Sequence, residues 1–368
     1  MPKFKFPIKF PRDFDWMILF SVLILVCLGV VIIYSTSYNE PGSKNLALYQ
    51  GIFAGIGIII AFLLASIDYR AIKNYYIILY IIGILLLVLV LILGKTVFGA
   101  TRWINLGFFQ LQPSEIFKLI LILFLARILS DQPSELNFRR LLFIIFLVVV
   151  PTILVLMEPD LGTALVFIAV TIGMFIAANL RKIYLLGMGI FTIAVSPVIW
   201  FLMRDYQRQR ILSFLNPASD PFGAGYNVLQ SIIAVGSGQF YGRGLGQGSQ
   251  SQLNFLPIKH ADFIFAVFAE ELGFVGALIL LLLFILLIIR VIRIARLAAD
   301  DFGMLIAVGI CVMFIFQILV NIGMNIGIMP VTGIPLPFVS SGGTSLIVNL
   351  VAIGILFSII LRHRKLVF

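Results

Sequence analysis

The chain is built from repeated apolar runs, most of them 17 to 21 residues long and nearly free of charge. At about 1.5 Å of rise per residue, such a run matches the roughly 20 residues a helix needs to cross a bilayer. It does not alternate like the roughly ten-residue strands of an outer-membrane barrel. With 61% hydrophobic residues, 11% charged residues and a mean hydropathy of +1.14, a soluble globule is excluded. The fold class expected is an all-α polytopic membrane protein.

About ten transmembrane helices are expected, at 16–35, 50–67, 75–93, 116–129, 141–157, 161–178, 183–203, 272–289, 302–322 and 345–361, the fourth of them short. The basic start followed by an apolar run resembles a signal peptide. The run from Trp16 to Ser35 is longer than a signal core and has no clear small-residue cleavage site, so it is read as a span. An even number of crossings puts both termini on one side. Seventeen of the 26 basic residues fall on that side with seven acids, so it carries the whole formal net charge of +10. The positive-inside rule makes it cytoplasmic. The charge therefore reads as a topology signal and a fit to anionic lipid, with no nucleic acid as partner.

One transmembrane domain is expected over 1–368: a cytoplasmic N-terminus at 1–15, a long extracytoplasmic loop at 204–261 between helices 7 and 8, and a cytoplasmic tail at 362–368. That loop is rich in Gly, Ser, Gln and Asn, and so long a loop is usually functional. Cys27 and Cys311 lie in apolar runs, and His260 and His363 are far apart, so neither a disulfide framework nor a zinc or haem site is expected.

Ionisable groups near hydrocarbon cost several kcal/mol, so chemistry is sought where they gather. They gather outward: Arg102 and Trp103; Glu115 and Lys118; Glu158 and Asp160; Arg204, Arg208 and Arg210; Lys259, His260 and Asp262; Glu270 and Glu271. Glu115 and Lys118 are three apart in a helix start and share a face, either as an ion pair or as the wall of a cavity. Asp160, in the turn Glu158-Pro159-Asp160-Leu161-Gly162, is most simply a helix N-cap. Gly236 to Gly246 supplies glycines for a flexible loop or a phosphate wrap, without the context of a nucleotide loop. Arg204, Arg208 and Arg210 either snorkel or attract an anion.

A helix beginning near Asp262 and entering the membrane at Leu272 projects eight to ten residues, about 12 Å, outward. Asp262 then stands at headgroup level, as a cap or as a functional carboxylate. Lys259 and His260 just before it favour function, at the depth of a lipid-linked pyrophosphate and its first sugar.

Several stretches carry a family resemblance: Gln112-Pro113-Ser114-Glu115, Glu158 to Ala164, Asp220 to Asn227, Gln250 to Pro257, His260 to Phe265 and Pro335 to Gly343. Together they resemble the SEDS family (shape, elongation, division and sporulation), most closely its RodA branch. The resemblance implies a peptidoglycan glycosyltransferase that polymerises lipid II on the outer face of the bacterial cytoplasmic membrane during elongation. It also implies a class B penicillin-binding protein as partner, with other elongation-complex membrane proteins. The family's catalytic carboxylate maps onto Asp262. Ala261 stands where the family usually has Thr, Gln239 where it has Gly, and Ser341 where it has Tyr.

Glycan extension needs one base and several cations. Asp262 is the candidate base, and Arg102, Trp103, Glu115, Lys118, Asp160, Arg210, Lys259 and His260 are the candidate substrate-binding residues. A divalent cation (Mg or Mn) is a possible aid to the leaving pyrophosphate. Displacement at the anomeric carbon is expected to invert it. The rival reading is a lipid flippase or other transporter, with Asn321, Asn325, Asn349, Pro197 and Pro330 marking a translocation path.

Overall fold

The computed structural model describes residues 14–37, 45–97, 100–105, 107, 110–131, 137–203, 205–216, 224–253, 255–256 and 258–363. Arg204, Asp220, Asn254 and Pro257, covered above, lie outside them, as do Lys3, Lys5, Lys9, Arg12, Asp13, Glu135, Arg364 and Lys365, which belong to the inner-face charge count. The helices are α1 (Trp16–Ser37), α2 (Leu46–Ser66), α3 (Tyr76–Leu93), α4 (Pro113–Ser130), α5 (Phe138–Met157), α6 (Leu161–Ala177) and α7 (Lys182–Leu202). They continue as α8 (Asp205–Leu215), α9 (Ala224–Ser237), α10 (Ser249–Gln252), α11 (Ile264–Leu297), α12 (Asp301–Asn325) and α13 (Gly343–Leu361).

Each expected run falls on one of these helices. Seven of them, α1, α2, α3, α5, α11, α12 and α13, are long and apolar enough to cross a membrane. The chain is a multi-pass helical membrane protein. The short fourth run is the central helix α4, which packs against α3, α6, α12 and α13. It is buried on nearly every side, as expected of a helix enclosed by others and not facing lipid. Outer helices instead expose Ile59, Ile92, Phe146 and Ile193, apolar side chains suited to acyl chains.

Small residues bring helices together where no hydrophobic force acts between them. A Cβ at Gly354 of α13 would lie 2.7 Å from the Ala61 main chain of α2. At one end of the bundle, residues of the inner-face charge count, which includes Asp15, Asp68, Arg70, Lys73, Arg290, Asp300 and Arg362, meet each other. Arg290 grips Asp15 at 2.6 Å, Arg362 reaches Asp68 at 3.7 Å, and Arg70 and Lys73 reach Asp300 at 3.4 and 3.5 Å.

Three features depart from the expectation. The α3–α4 connection is a small antiparallel sheet, β1 (Lys95–Val97), β2 (Ala100–Asn105) and β3 (Gln110–Leu111), in the order β1-β2-β3, so the chain is not all-α. The stretch 204–261 is not an open loop but carries α8, α9 and α10. In α9 the buried Val228, Ser231 and Ala234 recur every third residue, a helical face that the surrounding Gly and Ser obscure in sequence.

Third, α11 is not continuous from the Asp262 region into the membrane. It breaks at Gly273, whose φ of +67° suits glycine. In an unbroken helix the carbonyls of Glu270 and Glu271 would accept from Phe274 and Val275. Here they accept from Arg243 N and Gly244 N at 3.0 Å each, while Phe274 N and Val275 N donate to Gln239 O and Phe240 O at 2.8 and 3.1 Å. The glycine-rich segment is thus spliced into the helix backbone. Gly242 sits at its centre with φ +80°, where a Cβ would lie 2.1 Å from Glu271 O. Gly242→Ala is expected to destabilise the protein by at least about 1–3 kcal/mol from backbone strain alone. Thermal melting in detergent measures this, and an unchanged midpoint would refute the splice.

Candidate active site

Asp262 ends a turn whose main chain is anchored residue by residue. Ser341 N donates to His260 O at 2.8 Å and Ser340 Oγ to Ala261 O at 2.7 Å. Asn321 Nδ2 and Asn325 Nδ2 donate to Asp262 O at 3.1 and 3.2 Å. Gln50 of α2 secures the same loop, donating to Ser340 O at 3.0 Å and accepting from Gly342 N at 3.3 Å. Ala261 and Ser341 contribute only main-chain atoms here, so the departures from the family's usual residues leave these bonds in place.

The side chain of Asp262 does not cap the helix: the N-cap of α11 is Phe263, with no side-chain cap bond. Burial pushes the Asp262 carboxyl up to about 6, the charges of Arg210 and Arg102 pull against that shift, and Asp160 adds to it. Four groups distant in sequence therefore share one field. Arg210 comes from α8, Arg102 from β2 and Asp160 from the turn before α6.

That turn is built by capping and by an arginine. Asp160 accepts from Thr163 N at 3.2 Å and from Thr163 Oγ1 at 2.8 Å, so the N-cap reading holds. It also accepts from Gln112 Nε2 at 3.2 Å and lies 3.9 Å from Arg102 Nη1. Arg102 Nε donates to Glu158 O at 3.3 Å, and its Nη2 donates to Pro159 O. The fork of one guanidinium thus fixes the turn while its charge acts on Asp262.

Glu158 is fully buried, and neither carboxyl oxygen has a hydrogen-bond partner among the described residues. Burial, reinforced by Asp160, pushes it up to about 9, against the opposing pull of Arg102. It is therefore neutral at physiological pH. Because its folded value exceeds its unfolded one, its contribution to stability is full in acid and is lost as pH rises through about 9. Glu158→Gln, a neutral isostere, is expected to fold normally and to flatten the decline in melting temperature between neutral and alkaline pH. An unchanged slope would contradict the assignment.

The other expected residues are placed differently. Glu115 and Lys118 form a buried ion pair at 2.8 Å, with side-chain exposures of 2% and 1%. Lys259 is buried and its Nζ donates to Ser251 O at 2.9 Å, which fastens α10. His260 is half-buried, with its carbonyl on Ser341 N. Trp103 is half-buried on β2, paired across the sheet with Lys95. Arg208 donates to Trp200 O and Phe201 O at 3.0 and 2.8 Å, closing the end of α7. Glu270 accepts from Gln250 N and Ser251 N at 2.8 and 3.0 Å, and Glu271 from Ser35 Oγ at 2.7 Å and Gly246 N at 3.2 Å. These two acids hold the loop onto the bundle.

The residues missed as site-builders are Gln50, Gln112, Asn321, Asn325 and Ser340. Only the rival transporter reading gave the asparagines a place, on a translocation path. Their spacing of four on α12, which puts two amides on one helix face, was the available signal.

Among the described residues, no group of three or more His, Cys, Asp or Glu side chains gathers to hold a metal ion. One carboxylate beside two arginines suits a ligand that brings anionic oxygens of its own. The site can take a proton at Asp262 and stabilise negative charge at Arg102 and Arg210.

Comparison with known proteins is consistent along the whole length. The sequence model of the FtsW/RodA/SpoVE cell cycle protein family matches residues 15–365. Peptidoglycan glycosyltransferase MrdB of Escherichia coli is 42% identical over 355 residues, 96% of this chain and 94% of that protein. Stage V sporulation protein E of Bacillus subtilis is 40% identical over 355 residues, 94% of this chain and 96% of that protein. A chain from a peptidoglycan synthase complex, solved to show how polymerization and crosslinking are coordinated, superposes with a TM-score of 0.82. It is 32% identical and is covered to 99%, against 96% of this chain. The rod shape determining protein RodA of Thermus thermophilus gives a TM-score of 0.72 at 30% identity, over 96% of this chain and 98% of that one.

Proposed function

The chain belongs to the FtsW/RodA/SpoVE family and is a peptidoglycan glycosyltransferase, and from that premise we propose how its site works. Lipid II is the substrate. An acceptor hydroxyl attacks the anomeric carbon of the donor sugar, the new C–O bond forms as the bond to polyprenyl pyrophosphate breaks, and the hydroxyl proton passes to Asp262. Attack opposite the leaving group inverts the anomeric centre. Pyrophosphate leaves as an anion, so no general acid is required, and Arg102 and Arg210 stabilise it. A divalent cation, Mg or Mn, would be carried by the phosphate oxygens of the substrate and would add positive charge to the leaving pyrophosphate.

The observation that carries this reading is the main-chain anchoring of the His260 to Asp262 turn by Ser340, Ser341, Asn321 and Asn325, and the charges of Arg102 and Arg210 that favour the ionised Asp262 support it. Asn321 and Asn325, two of the residues behind the flippase reading, are committed to the carbonyl of Asp262, which weakens that reading. Purified protein in detergent, given lipid II, separates the two. Polymer is expected. A protein that moves lipid II across vesicles but makes no strands in detergent would be a transporter.

The proposal includes ten membrane-spanning helices in the bacterial cytoplasmic membrane, both termini cytoplasmic and 204–261 outside. Inner-face residues meeting at one end and site residues at the other support it. A cysteine near residue 245 should react with an impermeant thiol reagent in intact cells, whereas one near residue 365 should not. A class B penicillin-binding protein, with other elongation-complex membrane proteins, is the proposed partner, supported by the likeness to a chain from a synthase complex.

A further inference from the structure

The first hydrogen bond of α11 runs from Val267 N to Phe263 O at 3.3 Å, so the helix starts just after Asp262. A helix including Asp262 would bond Ala266 N–H to Asp262 C=O. Ala266 N instead donates to Phe263 O at 3.1 Å and to Asn325 Oδ1 at 3.2 Å, while Asp262 O accepts from Asn325 Nδ2 at 3.2 Å. One side-chain amide therefore stands between the donor and the acceptor of the bond such a helix would make and satisfies both, as an inserted peptide unit would.

The orientation of that amide is over-determined. Its NH2 faces two carbonyls, Asp262 O and Asn321 O, the latter at 2.8 Å. Its oxygen faces Ala266 N and Ser231 Oγ, the latter at 3.2 Å. Asn321, one turn earlier on the same face of α12, donates to Asp262 O and, at 2.8 Å, to Ile334 O. Both asparagines are fully buried. Buried amides this costly are worth their desolvation only when every polar atom finds a partner, as here.

We propose that Asn325, supported by Asn321, is a positioning residue for the glycosyl transfer: by bonding both Ala266 N and Asp262 O at the start of α11 it keeps Asp262 out of the helix and fixes where its carboxylate stands. Without it the helix extends by a residue. Each residue joining a helix is rotated by about 100°, which carries the carboxylate off its mark. The inference rests on Asp262 being the base. The groups acting on Asp262 are Arg102 from β2, Arg210 from α8 and Asp160 at the start of α6, with Lys259 and His260 preceding it in its own turn. None is on α12, so the effect of Asn325 on Asp262 is geometric and not a change of charge.

The test compares Asn325→Leu, Asn325→Gln and Ser231→Ala in purified protein with lipid II, scoring kcat, KM, the pH profile of kcat/KM and the melting temperature. Asn325→Leu is expected to lose about 100-fold in kcat with KM within about twofold, the scale of an ångström-level misplacement. Its acid limb is expected to shift to lower pH as Asp262 moves toward solvent. Asn325→Gln, which still donates and accepts, recovers part of kcat and of the limb. Ser231→Ala removes a contact to Asn325 but not to Asp262, so it lowers the melting temperature and leaves the limb in place.

Wild-type kcat and pH profile in Asn325→Leu would overturn the proposal, as would a loss that vanishes once activity is normalised to folded protein. If Asn325→Leu does not fold, Asn325→Gln decides by the same limb. Asp262→Asn run alongside separates the two claims: near-normal turnover there removes the base, whereas a dead Asp262→Asn with normal Asn325 variants removes only the positioning role.

Discussion

Lys118→Met is expected to destabilise the protein by about 3–5 kcal/mol, because it leaves the carboxylate of Glu115 buried without a counter-charge. The two groups are 2.8 Å apart in the first turns of α4, the helix enclosed on nearly every side by the bundle. Glu115→Gln combined with Lys118→Met, a neutral pair of similar volume, is expected to recover most of that loss, since a buried ion pair replaced whole is often neutral in stability.

The exchanged pair, Glu115→Lys with Lys118→Glu, is expected to recover folding too, less about 0.3–1 kcal/mol per charge for placing a cation in the first turn of a helix. Because each group is the other's buried counter-charge, polymerisation is expected to return with the fold. An exchanged protein that melts normally and makes no polymer would assign Lys118 to the substrate instead. Single variants with wild-type melting temperatures would contradict the buried pair itself.

Asp262→Asn is expected to lower polymerisation by about 10²–10⁴-fold, the usual worth of a positioned general base, and at the same time to stabilise the protein. The sign follows from burial. The folded carboxyl lies at about 6, above its ordinary value of 3.8, so the folded state holds the proton more tightly than the unfolded state does. The contribution of Asp262 to stability is therefore full in acid and is lost as pH rises through about 6. At neutral pH the ionised group is a net cost of about 1–3 kcal/mol, which an amide of the same shape removes. Loss of activity with a raised melting temperature is the signature of a strained functional group. Loss of both would mark Asp262 as a structural residue.

The membrane helices were legible because the bilayer imposes a length and a polarity that few sequences meet by accident. Even α4, short and charged, was found from its apolar core, although its central burial was not. The sheet between α3 and α4 was missed because its strands are two to six residues long, too short for alternation to register. In 204–261 the glycines that suggested flexibility instead permit close backbone contact. Gly242 and Gly273 meet where no side chain fits, and a contact between residues so far apart leaves no local pattern.

At the site, Asp262 was singled out from its depth and its charged company, and the structure disposes that company differently along the chain. Lys259 turns back to Ser251 O, whereas Arg210 and Arg102 supply the charge from elements remote in sequence. Asn321 and Asn325 looked like polar residues in a membrane path because their partners are main-chain carbonyls, which one-letter sequence does not display. Asp160 was read correctly as a cap. Its second role beside Arg102 depends on β2, which was not foreseen.

The most direct measurement is kcat/KM for lipid II polymerisation against pH, wild type beside Asp262→Asn, because that profile reports the ionisation of the free enzyme's base. Wild-type activity should fall tenfold per pH unit below a limb near about 6, and the residual activity of Asp262→Asn should show no such limb. A wild-type profile flat through that range, or the same acid limb in both proteins, would contradict the assignment of Asp262 as the base.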